Sequence, residues 1–164
     1  MADDGLSQHT RLDGITEYVA ALDTLCKLAQ HRLYLFDKDF DGAGYDSEAR
    51  YATLRNFLLA SPANRLFVLA HDTGYLATRC PRMMTLLRQS GTGMSVYQTP
   101  KNLQHISEPF AVADEENYVR RFHFDDTRGI LALHDPENAR VLQSRFLEMW
   151  ATSHPTPATT RLRI

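Results

Sequence analysis

Apolar positions fall along this chain in two rhythms, and the place where they meet is residues 65–72, RLFVLAHD. Its five apolar residues, 66–70, end abruptly in His71 and Asp72, which is how a strand buried on both faces reads. On either side the spacing becomes helical, with Tyr51, Leu54, Phe57 and Leu58 before it and Met83, Met84, Leu86 and Leu87 after it. A strand between two such helices belongs to a parallel sheet covered on both sides. Ligands of these sheets bind beyond the carboxyl ends of the strands, which makes His71 and Asp72 candidates for a site.

The same pattern assigns the rest of the chain. Residues 14–30 read as a helix capped by Asp13, with Ile15, Tyr18, Val19, Leu22, Leu25, Cys26 and Ala29 on one face. Residues 32–36 form a strand closed by the acidic stretch DKDFDGAGYD, and residues 95–98 form a third strand. Ser47 caps the helix before the central strand, Thr73 caps a short turn, and Pro81 opens the helix that follows. Residues 110–114, 117–124 and 128–134 are strand-like and separated by DEEN and DDTRG, an antiparallel meander. Asp135 and Pro136 open a last helix with Ala139, Leu142, Phe146, Leu147 and Trp150 inward. The expected architecture is a three-layer αβα sandwich with a mixed, partly parallel sheet: one domain over residues 13–153, a flexible N-terminus over 1–12 and a disordered tail over 154–164.

Composition narrows the classes. At 164 residues and 43% hydrophobic the chain can bury a core without disulfide or metal staples. A formal net charge of -2 provides no basic face for nucleic acid or an anionic membrane. Cys26 and Cys80 sit among apolar residues and suit a reducing compartment. With no basic leader and no apolar stretch near the roughly 20 residues that span a bilayer, the expectation is a cytoplasmic protein.

Three constellations carry chemistry. Asp37, Asp39, Asp41, Gly42 and Glu48 satisfy the calcium-loop spacing D-x-D-x-D-G-x5-E; alternating carboxylates would wrap calcium or another divalent ion, and the glycine would permit the turn. Gly44 stands where an aliphatic residue is usual and the incoming LYLF reads as strand, so the plainer alternative is a solvated acidic loop with no cofactor at all. His71, Asp72, Asp37, Asp39 and His105 would make a metal-assisted hydrolase or phosphodiesterase if they met on one rim; the plainer alternative is that Asp72 caps a turn and His71 makes a buried hydrogen bond. Arg120, Arg121 and His123 would bind a phosphate-bearing or anionic ligand, or pair with nearby acids. The chain contains no GxSxG, GxxxxGK, CxxC or HExxH.

The stretches LYLFDKDFDGAGYDSE, RLFVLAHD, FAVADEENYVRRF and ENARVLQSRFLEMW, in that order, resemble one repeat of the phospholipase D-like fold, and are most similar to small bacterial members without assigned activity, some found beside acetyltransferase domains. The resemblance implies a homodimer, because short active members assemble one site from two copies, and an acetyltransferase-type partner. It also implies where catalysis would sit. Members that cleave phosphodiesters carry HxKxxxxD, whose histidine is the nucleophile, followed by a glycine-serine step. With Asp114 on the aspartate, the histidine position holds Ser107, the lysine position Pro109 and the glycine-serine step Arg121 and Phe122. His105 lies two residues from the nucleophile position. The expectation is a non-catalytic domain acting as a binding or regulatory module.

Overall fold

In chain order the elements of the computed structural model, which describes residues 6–159, are β1 (Gln8–Leu12), α1 (Ile15–Leu28), β2 (Arg32–Asp37), α2 (Glu48–Ala60), β3 (Arg65–Ala70), α3 (Gly74–Arg79), α4 (Pro81–Gln89), β4 (Met94–Gln98), β5 (Phe110–Ala113), β6 (Asn117–His123), β7 (Asp126–Leu133) and α5 (Pro136–Thr152). The strands make one sheet in the order β1-β7-β6-β5-β2-β3-β4. β2, β3 and β4 run parallel, β5 turns antiparallel against β2, and β6, β7 and β1 continue antiparallel.

Strand alternation divides the core in two. Leu33 and Leu35 of β2 face α1, α2 and α4, where Leu22, Leu25, Leu54, Met83 and Leu86 close over Val68, Val96 and Val119. Tyr34 and Phe36 face the other way, onto Ala139, Leu142, Phe146 and Met149 of α5. The result is the expected α/β sandwich with unequal outer layers. Among the described residues α5 covers the second face together with Leu103 and Ile106, and its Trp150 stacks on Tyr97 at 4.1 Å between centroids and meets Phe67 edge-on at 5.3 Å. No helix among the described residues is long and apolar enough to cross a membrane.

Both expected loose ends are corrected where they are described. Residues 8–12 were expected to be flexible but pair with β7 as β1, from Gln8 opposite Leu133 to Leu12 opposite Gly129. Backbone pairing needs no apolar side chains, and Leu12 is the one buried residue of this edge strand. The expected tail is likewise tied down as far as residue 159. His154 exchanges backbone hydrogen bonds with Gln98, and the Thr156 hydroxyl meets those of Thr73 and Thr159. Residues 1–5 and 160–164 lie outside the described residues. Asp13 does not cap α1: Gly14 holds that position with φ 101°, and its cap lacks a side-chain bond. Ile15 and Leu147, expected inward, are exposed.

Candidate functional site

The carboxyl ends of β2, β3 and β4 form a rim that carries Asp37, His71 and Thr99. Alternation separates the first two. Phe36 points toward α5, so Asp37 points toward α1, whereas His71 lies edge-on to Phe36 at 5.2 Å and to Phe124 at 5.6 Å on the α5 side. The chain after β4 folds over His71: Gln104 Nε2 donates to the His71 carbonyl at 3.3 Å, and His71 Nε2 lies 2.7 Å from the carbonyl of Ile106. A carbonyl only accepts, so Nε2 carries the proton and Nδ1 accepts from the Thr99 hydroxyl at 2.6 Å. Burial holds the imidazole below its ordinary pKa, opposed by the Ile106 bond and reinforced by the nearby His105 and Lys38. His71 is therefore a neutral ring with both nitrogens engaged.

The other proposed catalytic residues do not join it in a reactive arrangement. Asp72 Oδ1 accepts the Gly74 amide at 2.8 Å, closing a turn. Asp114 lies at the far end of β5, where its carboxylate accepts the amides of Gln30, His31 and Arg32 at 2.8, 2.7 and 2.9 Å. It fastens the start of β2 to the β5–β6 turn. His105 stays on the rim, exposed. Ser107 and Pro109 enter β5 at the rim, and their carbonyls accept from Phe124 and Arg121 at 2.8 and 3.0 Å. Burial pushes the Cys26 thiol up to about 11 and also raises that of Cys80, so neither is an activated nucleophile.

The acidic loop is anchored by apolar residues. Phe40, Ala43 and Tyr45 are buried, and Phe40 adopts φ 70°. Asp37 accepts its neighbour Lys38's amide at 2.6 Å, Asp39 accepts that of Asp41 at 3.0 Å, and Glu48 opens α2, exposed. Among the described residues no three His, Cys, Asp or Glu side chains gather into a group able to hold a metal. The carboxylates of Asp37 and Asp39 thus close turns within the loop. Under the loop lies Arg50, with Nε 2.7 Å from Asp23 and its other nitrogens donating to the carbonyls of Ala43 and Val19. Gly44 allows this approach, since a Cβ there would come within 3.0 Å of the Arg50 guanidinium.

Arg120, Arg121 and His123 do not converge. Arg120 pairs with Glu108 at 3.1 Å; Arg121 turns to the opposite face, buried, with Cζ 4.6 Å over the Tyr18 ring and Nη2 donating to the Phe124 carbonyl. His123 is exposed beyond an irregularity in the β6–β7 pairing and accepts the Asp125 amide. What the rim offers instead is Lys38, Lys101 and His105, whose side chains make no ion pair or hydrogen bond among the described residues. His105 was expected on this rim; Lys38 and Lys101 carry no pattern that signals it, because Lys38 follows β2 and Lys101 follows β4.

A family model described as a domain of unknown function, DUF7931, matches residues 15–162. The chain belongs to this family. No curated protein matches the DUF7931 chain significantly in sequence. In structure it is similar to Nuc of Salmonella typhimurium, a phospholipase D family member, with a TM-score of 0.68, 10% identity and coverage of 95% of this chain and 99% of that one. NucT of Helicobacter pylori gives 0.61 and 12%, covering 90% and 98%. TrmBL2, an archaeal chromatin protein, gives 0.67 and 12%; the DUF7931 chain covers 53% of it and is itself 90% covered. The fold is therefore phospholipase D-like, as the residues suggested, and at these identities the likeness reaches no further than the fold.

Proposed function

We propose that this DUF7931 domain is a non-catalytic phospholipase D-like module that binds a phosphate-bearing or other anionic ligand at the carboxyl rim of its sheet, as a two-fold dimer. The observation that carries this reading is the pairing of a locked histidine with free cations. His71 has no lone pair left for attack, since Nε2 donates to Ile106 and Nδ1 accepts from Thr99, while Lys38, Lys101 and His105 stand beside it without acid partners. Such a rim can attract and hold an anion, while its locked histidine cannot form a phosphohistidine and His105 is followed two residues on by Ser107 rather than by the lysine of HxK. The hydrolase alternative needs carboxylates and His71 on one face, and Asp37 faces α1. The dimer rests on the resemblance and on Phe122, a 43% exposed aromatic one residue past Arg121.

Titration with inorganic phosphate, followed through the backbone amide resonances of Lys38 and residues 101–106, tests the binding. Saturable shifts that weaken in Lys38→Gln and in His105→Gln are expected; no response at the rim would contradict it. Sedimentation velocity should give twice the 18.7 kDa chain mass, and a strictly monomeric chain would remove the two-fold dimer from the account.

A further inference from the structure

At the end of the sheet opposite His71, a cavity of about 470 Å³ opens between α2, α4 and the turns that lead into β3 and β4. Its size is within the range of ligand pockets, about 300–1,000 Å³. Arg55, Leu58 and Leu59 reach it from one side of α2, at positions three and four apart, and Leu86 reaches it from α4. Pro62 closes the end beside Ser61 and Asn64, and Gln89, Ser90 and Thr92 with the bare backbone of Gly91 and Gly93 form the remaining, uncharged wall. Leu58 packs on the core, but Leu59 is 65% exposed, an apolar side chain at the mouth with no neighbour to cover it. No acidic residue contributes to the lining, and Arg55 has no ion pair or hydrogen bond among the described residues. A leucine-lined side facing an uncharged wall, with one unpaired cation at the edge, matches a molecule that is apolar along its length and anionic at one end.

We propose that this cavity binds a small amphipathic carboxylate, its chain lying along Leu58, Leu59 and Leu86 and its carboxylate meeting Arg55. The site does not depend on the reading of the rim, which lies at the other end of the sheet. Charge on Arg55 sets the preference for an acid over an alcohol of the same length, and the leucines provide the affinity common to both.

The test titrates the full chain with octanoate, 1-octanol and octyltrimethylammonium and follows the amide resonances of Gly91 and Gly93. Octanoate should shift both saturably and bind more tightly than 1-octanol. Arg55 is exposed, so Arg55→Gln should keep the fold while weakening octanoate about threefold, as loss of an exposed charge pair does, and leave 1-octanol unchanged. Leu59→Asp should weaken both. The proposal is overturned if neither glycine responds to octanoate, if octyltrimethylammonium binds as well as octanoate, or if Arg55→Gln leaves the octanoate affinity as it was.

Discussion

Burial lifts the Asp37 carboxyl from the usual aspartate range to about 6, against the opposing pull of the Lys38 amide and the Arg121 charge. The folded chain therefore binds this proton more tightly than the unfolded chain does. Stability from Asp37 is fully present below about pH 4 and is lost as pH rises through about 6. In Asp37→Asn that loss disappears, so the variant should gain on the wild type by about 2 kcal/mol between pH 4 and pH 7. Urea unfolding at pH 4, 5, 6 and 7 measures the difference, and a difference that does not change with pH would show that the carboxyl is not held this way. Asp114 makes the opposite case, a carboxylate whose work is to accept three amides. Asp114→Ala should cost about 2 kcal/mol in urea unfolding by leaving them without their charged acceptor. An unchanged midpoint would mean that water replaces the carboxylate freely.

At the scale of elements, what was legible in the sequence was whatever packs through its own side chains. RLYLFD and RLFVLA announce β2 and β3 because both faces of each are buried. β1 was hidden because Gln8, His9, Thr10 and Arg11 stay exposed and the backbone makes the pairing. Arg50 was overlooked because arginine is expected outside, although its place four before Leu54 and seven before Phe57 puts it on the buried stripe of α2. Arg121 was expected at a ligand, but it follows Val119 by two and so shares its inward face. Of the rim cations only His105 was legible, since Lys38 and Lys101 join it through loops that only the folded chain brings together. Gly129 joins two elements by having no side chain: it lies opposite Arg121 on β6, and a Cβ there would come within 2.1 Å of the Arg120 carbonyl. Gly129→Ala should lower stability by about 2 kcal/mol or more, because backbone has to move to make room. A thermal melt that matches the wild type would contradict this pairing.

On the scale of the whole molecule, the sheet has two ends with different character. The carboxyl rim is closed around His71 by residues 99–106 and lined outside by unpaired cations, while the opposite end is held together by Asp114 and opens into the leucine-lined cavity. A larger cavity of about 700 Å³ at that same end is polar, and within it Glu115 lies 3.7 Å from Arg140 and Glu116 3.6 Å from His134. The leucine-lined cavity touches none of the positions that the catalytic motif of this fold would occupy, and the larger one touches Asp114 alone of them. The most direct measurement is the hydrolysis of bis-p-nitrophenyl phosphate by the full chain, with and without added divalent ions. No turnover above buffer is expected under either condition, because His71 is locked as a neutral donor and no metal-holding group exists among the described residues. Hydrolysis that disappears in His71→Ala or His105→Ala would contradict the account and make this domain an enzyme.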